Sequence, residues 1–324
     1  MIHPTQTTSS FIGVDVYSPI LRAALVKGDG SVLERRQAAL DSDASVSPQV
    51  ERLVTELRDA AGATPVIGIG LGIPGLIDPQ TNRIVIASDL PAVLRGDLGA
   101  ELQRATKLPA VLVNDANAAA YGEYMVGAGR GSRNMFYVTI GSGVGGALIL
   151  DGKLWLGATG FAGEFGHITI DPEGNECVCG NRGCLETVAA APNIVRRTHE
   201  RLNRDSTSSL SRLALNRNFT ATDIAREART GDDFALMMIE RTGKFIGTAV
   251  AVVINLLNIE RIVFGGGVME AGELILNPIA IEAKRRSFQP CFEATQLVAA
   301  TLGADAVPVG AALLARDTTQ KSVP

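Results

Sequence analysis

The sequence predicts a duplicated α/β fold of two lobes with a cleft between them, and three observations carry that expectation. A strand–turn–strand layout closing on Asp-Gly spans residues 11–30 and returns at 134–152. A third strand, 261–264, runs into the glycines 265–267. Between these lie stretches of helical periodicity, so strands alternate with helices as they do in sheets covered by helices.

The elements follow in order. Strands are expected at 11–16 and 21–27, and Gly28-Asp29-Gly30 turns into a third. Ser47-Pro48 opens a helix, since proline is tolerated where an N–H lacks a partner anyway, and Gly62 lies just past its end. Strands at 66–73 and 110–113 and helices at 97–106 and 116–126 complete the first half. The pattern restarts with a strand at 134–140, the turn GSGVGG and a strand at 147–150. Helices at 191–204, 222–229 and 232–258 follow, the last long and buried. A final helix covers 306–316, ahead of the polar tail DTTQKSVP, and serine-rich 205–211 reads as an exposed loop. The expected division is a polar tail (1–10), a smaller lobe (11–115 with 306–324) and a larger lobe (116–305).

Composition narrows the function. The 324 residues carry 30 Lys and Arg against 34 Asp and Glu, so no basic excess invites nucleic acid. The densest basic stretch, 196–204, reads as a solvated helix face. No uninterrupted apolar run is long enough to span a membrane; 245–257 reads as a buried helix. MIHPTQTTSS lacks the basic and apolar regions of a signal peptide. Three of the four cysteines share one short window, unlike a disulfide framework. The expectation is a cytoplasmic protein with reduced thiols and no membrane association.

That window carries the sharpest motif. His167, Cys177, Cys179 and Cys184 give H-x9-C-x-C-x4-C, the four thiolate and imidazole donors of a closed tetrahedral zinc site. Gly174, Gly180 and Gly183 let so short a loop wrap an ion. With no open coordination position the zinc is structural.

Two segments, 70–75 and 141–146, match G-x-G-x-x-G. A dinucleotide fingerprint needs a helix directly after the loop, whereas these run into a turn and a strand, so that reading fails. A glycine turn between strands still presents backbone N–H groups to an anion, and Gly141, Ser142 and Gly143 suit phosphate. Gly265, Gly266 and Gly267 permit a second close backbone approach, suited to a nucleotide. Asp115 follows a strand and opens a helix, where it either caps that helix or accepts a proton from an attacking hydroxyl. Glu164 and Glu186 bracket the zinc loop, as supports for it or as acceptors for sugar hydroxyls.

With these motifs in view, the chain resembles the ROK family of sugar kinases and sugar-responsive repressors. The resemblance rests on GIPGLID (72–78), NDANAAAYGE (114–123), IGSGVGGALILDGKL (140–154), GATGFAGEFGH (157–167), CVCGNRGCLE (177–186) and FGGGV (264–268), in the family's order over nearly the whole chain. Some stretches are similar to allose kinases as well as glucokinases. The resemblance implies an actin/hexokinase-like fold, two ribonuclease-H-like lobes closing on a sugar and ATP, with Mg²⁺ as catalytic ion. It implies that Asp115 is the general base and that Asn114, Glu164, His167 and Glu186, with Gly75 nearby, bind the hexose. His167 then serves zinc with one ring nitrogen and sugar with the other. Gly141 to Gly143 map to the phosphate loop, Gly265 to Gly267 to the adenosine region, and Asp15 to the first-strand aspartate. Family members are commonly homodimers or homotetramers.

Two departures stand out. Where family kinases carry Gly-Gly-Thr after the first-strand Asp, this chain has Tyr17-Ser18-Pro19, and Pro19 has no N–H. Asp89 stands where many members have Asn, and as an acceptor only it shifts hexose preference. The leading expectation is ATP-dependent phosphorylation of a hexose (glucose, allose or a related aldohexose) at its primary hydroxyl. The alternative is a non-catalytic sugar sensor with a degraded first phosphate loop, and an acetylated amino-sugar kinase is a third. About ten residues precede the first strand, too few for a helix-turn-helix, which favours the enzyme.

Overall fold

A computed structural model describes residues 9–17, 19–86, 97–202, 207–216 and 218–321. Contacts divide the chain into two units, one of Met1–Gly131, Leu148–Ala162 and Thr301–Pro324, the other of Ser132–Ala147 and Gly163–Ala300.

The first sheet starts as a meander, β1 (Ser10–Tyr17), β2 (Ile20–Lys27) and β3 (Val32–Ala39), each antiparallel to the next. After α1 (Val46–Ala60), β4 (Val66–Ile73) pairs parallel to β1. A small hairpin, β5 (Leu76–Asp78) with β6 (Arg83–Ile86), and α2 (Leu98–Thr106) precede β7 (Ala110–Asn114), which pairs parallel to β4. Helix α3 (Asp115–Val126) follows at once. The order β3-β2-β1-β4-β7 is that of a ribonuclease-H-like sheet. Central β1 is buried from Ser10 to Val16, whereas edge strand β3 alternates half-buried and exposed residues, one face to the core and one to water. Helix α1 starts before Ser47, so Pro48 sits within its first turn, where no intrahelical N–H is missed. Gly62 follows its end at φ 58°.

The second sheet repeats that order. Strands β8 (Met135–Ile140), β9 (Val144–Leu150) and β10 (Lys153–Trp155) lead to a helical region. It contains α4 (Glu186–Ala189), α5 (Ala191–Leu202), α6 (Ser209–Asn216), α7 (Ala221–Arg229) and α8 (Asp233–Leu257). Then come β11 (Arg261–Gly265), α9 (Glu273–Arg286), α10 (Gln289–Glu293) and β12 (Gln296–Ala299). The order is β10-β9-β8-β11-β12, with β11 parallel to both neighbours. The duplication read from the layout is therefore real at the level of topology. Both G-x-G-x-x-G segments lead into strands, β5 and β9, and not into helices.

Two local expectations change. Of the serine-rich stretch 205–211, positions 205 and 206 lie outside the described residues; in the remainder Ser208 is buried, and Ser208 and Ser209 donate to the Asp232 carboxylate, where α6 starts. That carboxylate also accepts the Ala235 N–H as the α8 cap. In the basic stretch Arg197 is buried, not solvated. Among the described residues no helix is long and apolar enough to cross a membrane.

The last helix, α11 (Ala306–Lys321), is longer than the sequence suggests and includes most of the expected polar tail. Thr318 and Thr319 bond the carbonyls of Leu314 and Ala315 one turn back, and Asp317 accepts from the Tyr121 hydroxyl of α3. Helix α11 packs on β1, β4 and α3 at backbone distance, which accounts for α3 lying in the first unit although the sequence places the lobe boundary at Asp115. A Cβ on Gly13 of β1 would fall 1.7 Å from the Pro308 carbonyl oxygen, and one on Gly70 of β4 2.0 Å from that of Ala311. On the helix side, a Cβ on Gly310 would fall 1.7 Å from the Ala118 carbonyl. No rotamer relieves a clash between Cβ and backbone, so these sites admit glycine alone. We expect Gly13→Ala and Gly310→Ala each to destabilise the chain by about 3 kcal/mol or more. Gly267→Ala, with open space around its Cβ, should shift the denaturant midpoint little.

Candidate functional site

In the first unit the carboxyl ends of β1, β4 and β7 bring together residues distant in sequence. Asp15 on β1 is in register with Gly72 on β4, and Gly72 with Val113 on β7. A Cβ on Gly72 would fall 2.2 Å from Val307 Cγ1 and 3.7 Å from the Cα of Asp115, the first residue of α3. Asp15 is only 7% exposed and pairs with the Arg22 guanidinium at 3.4 Å. Burial, then the charge of Asp115, push its carboxyl up to about 7 against the lowering effect of Arg22.

The cap of α3 is Asn114, not Asp115. Asn114 Oδ1 accepts the Asn117 N–H at 3.0 Å, and its Nδ2 donates to the Gly75 carbonyl at 3.0 Å. Gly75 itself lies at φ 129°. The GIPG and NDAN segments are thus joined by one side chain, which leaves Asp115 in the first turn with Oδ1 accepting the Ala116 N–H at 2.9 Å. The sequence offered Asp115 as the cap and named Asn114 only as a hexose ligand; the capping role of Asn114 is what it missed. Glu123, also missed, is fully buried and accepts the N–H groups of Ala128, Thr301 and Leu302, closing the far end of α3.

In the second unit Glu164 precedes, and His167 ends, a single 3-10 turn, Phe165–His167. His167 Nδ1 lies 3.6 Å from Cys177 Sγ, while Nε2 faces Glu164 Oε2 at 3.9 Å. Cys179 Sγ and Cys184 Sγ are 3.7 Å apart, and all four donor atoms lie within 4.8 Å of one another. A tetrahedron with Zn–S of about 2.3 Å and Zn–N of about 2.0 Å has edges of roughly 3.7 Å and 3.5 Å. The donor set fits such an ion in number, type and spacing. The two imidazole nitrogens point to different tasks, one to the thiols and one to a carboxylate.

Glu186 opens α4 two residues after the last of these cysteines. Its Oε2 accepts the Val144 N–H at 2.9 Å, and a Cβ on Gly143 would come within 2.8 Å of that oxygen. The carboxylate therefore rests on the glycine loop. Within the loop Gly141 donates to the Gly143 carbonyl and accepts from Ala191, and Ser142 is exposed. The nest open to an anion thus narrows to the N–H groups of Ser142 and Gly143. Burial raises the Glu164 carboxyl, with Glu186 adding to the rise and His167 opposing it.

The triple glycine divides likewise. A Cβ on Gly265 would meet the Tyr137 hydroxyl at 2.2 Å, and one on Gly266, at φ 88°, the Ile140 carbonyl at 2.4 Å. Only Gly267 faces open space. Strands β8 and β11 are parallel neighbours, so Gly141 to Gly143 and Gly265 to Gly267 share the carboxyl edge of one sheet, where α/β folds place ligands. Asp89 and Ser18 lie outside the described residues. Tyr17 pairs with Ile20 across the hairpin, and Pro19 is exposed with its carbonyl accepting from Leu40.

The folded Asp15 titrates above its ordinary 3.8, so between about pH 4 and pH 7 the folded chain holds a proton that the unfolded chain has released. Its stabilising contribution is present at low pH and is lost as pH rises through that window. Thermal melts of the ligand-free chain should show this slope, and Asp15→Asn should flatten it; an unchanged slope would refute the assignment.

The ROK family pattern matches residues 11–318. A glucokinase of Halalkalibacterium halodurans is 35% identical over 319 residues, covering 94% of each chain. A ROK family glucokinase from Streptomyces griseus, solved in complex with glucose and AMPPNP, superposes with a TM-score of 0.83 at 32% identity, over 95% of this chain and 100% of that one. A ROK family transcriptional regulator, a homolog of the E. coli MLC protein, gives 0.84 at 30% identity, over 96% of this chain and 78% of the regulator. Matched from the first strand to the last helix, with the duplicated sheet order of the actin/hexokinase-like fold, the chain belongs to the ROK family.

Proposed function

We propose that the chain transfers the terminal phosphoryl group of ATP to the primary hydroxyl of a hexose: glucose, allose or a related aldohexose. The observation that carries this reading is the carboxylate pair Asp15 and Asp115, at the ends of two strands that both flank β4. Asp115 accepts the proton of the attacking hydroxyl from the first turn of α3. Asp15, pushed toward neutrality by burial and by Asp115, is a carboxylate whose charge a divalent cation would restore. Mg²⁺ supplies charge neutralisation on the transferring phosphates.

The remaining roles are those that the family resemblance implies. Asn114, braced on Gly75, is a hexose ligand of the first unit; Glu164, Nε2 of His167 and Glu186 are those of the second. Asp89 is assigned to the hexose from sequence alone. Gly141 to Gly143 receive phosphate and Gly265 to Gly267 the adenosine. His167 Nδ1 and the thiolates of Cys177, Cys179 and Cys184 hold a structural Zn²⁺ that keeps His167 and Glu186 in place. The glucokinase relatives support the same reading.

A second reading has its own support. The turn after Asp15 includes Pro19, which offers no N–H to a phosphate, and a transcriptional regulator superposes as well as a kinase does. On that reading the chain binds hexose without turning over ATP.

An ADP-release assay across hexoses and acetylated amino sugars should find turnover that falls roughly 10²- to 10⁴-fold in Asp115→Asn. Absence of Asp115-dependent turnover on every sugar, together with calorimetric hexose binding and no ATP binding, would establish the sensor instead. Elemental analysis should find one zinc per chain. Chelation or Cys184→Ser should remove it and abolish hexose binding; binding that survives complete zinc loss would refute the bracing role.

A further inference from the structure

We propose that Asn193, Arg196 and Arg197 on α5 are positioning residues that aim Glu186 by gripping the carbonyls of α4. The proposal rests on Glu186 being a hexose ligand. It accounts for a basic segment that the sequence alone offers only as solvated surface.

Helix α4 is a single turn of four residues, too short to hold its own direction, and its first residue is Glu186. Leu185 before it provides no side-chain cap. Each of its first three carbonyls is taken by a side chain of α5. Asn193 Nδ2 donates to the Glu186 carbonyl at 2.9 Å, Arg196 Nη2 to that of Thr187 at 3.1 Å, and Arg197 Nη1 to that of Val188 at 2.6 Å. Positions 193, 196 and 197 stand at i, i+3 and i+4, hence on one face of α5. Two guanidinium groups on the carbonyl end of a helix also suit its partial negative charge.

The grip is anchored. Arg197 is 6% exposed, its Nη1 also reaches Thr242 Oγ1 at 3.3 Å, and its guanidinium lies 4.9 Å from the Phe245 ring centre. Both partners are on α8, so a long helix fixes the arginine that fixes α4. Burial, then the charges of Arg241, Arg201 and Arg196, lower Arg197 to about 10, which still leaves it a cation at neutral pH. At the other end of α4, the Leu185 N–H donates to the Ile168 carbonyl and Thr187 Oγ1 to the Cys184 carbonyl. Glu186 thus stands between the metal loop and the α5 grip, with its carboxylate on the Val144 N–H. A displacement of about 1 Å in such a group is enough to cost a large part of its binding.

The test is a double-mutant cycle on the full zinc-loaded chain, with D-glucose affinity read by calorimetry. Arg196 is half-exposed, so Arg196→Ala is the variant that should fold; Asn193→Ala and Arg197→Lys are companions. Arg196→Ala should weaken glucose roughly tenfold while zinc content and melting temperature stay those of the parent. Glu186→Gln should weaken it more, and adding Arg196→Ala to Glu186→Gln should change nothing further. The proposal is overturned if Arg196→Ala has its full effect in the Glu186→Gln background, or leaves glucose affinity unchanged where Glu186→Gln weakens it. If Glu186→Gln itself leaves glucose affinity intact, the reading of Glu186 fails, and this proposal with it.

Discussion

The first unit depends on the backbone-to-backbone approach of α11. Gly13 and Gly70 let this helix lie directly on β1 and β4, and Gly310 lets it cross α3 with carbonyl oxygen where a side chain would otherwise stand. Close approach matters because β1, β4 and α3 together place Asp15 and Asp115. A helix held one side-chain layer away would expose Asp15, whose burial is the largest cause of its raised titration. The same device recurs in the second unit. Gly243 and Gly247 of α8 admit Pro278 and the Ile279 carbonyl of α9, so proline sits inside a helix without disorder in the packing. In both units the glycines are spent on helix contacts, and their absence of a side chain is what tertiary packing requires.

The second unit converges on Glu186. Three constraints meet there: the cysteine loop that precedes it, the α5 side chains that hold the carbonyls behind it, and the Val144 N–H that receives its carboxylate. A group so enclosed has lost most of its rotamer freedom before a ligand arrives, which is the physical content of preorganisation. His167 is treated likewise, since a ring with Nδ1 committed to the thiols can present only Nε2 outward.

Legibility in the sequence followed the separation of the residues involved. The four Cys and His donors lie within 18 positions, so their spacing is a direct statement of geometry. The duplicated layout was readable because each half opens with a hairpin whose turn residues are local signals. Helix α8 was readable for the same reason, with Asp232 capping one end and Asn258 at φ 46° closing the other. By contrast α9 contains Pro278, which argues against a helix unless the neighbour it packs on is known. The tail through Lys321 looked polar because its threonines bond backward to their own helix and Asp317 finds Tyr121, contacts with no sequence signature.

The sequence by itself determined the identity and order of the chemical parts: the Cys and His cluster, the two glycine loops, the acid after the fifth strand of the first sheet, and the family they belong to. Those are carried by residue type and short spacing, which survive without coordinates. Only the tertiary structure decided which parts act on one another. Asp15 and Asp115 are a hundred positions apart and become a pair through β4; Asn114, not Asp115, is the cap; Arg197 is an internal clamp and not a surface charge. Each of these depends on distance across packed elements, and Coulomb coupling, burial and hydrogen bonding all act through space and not along the chain.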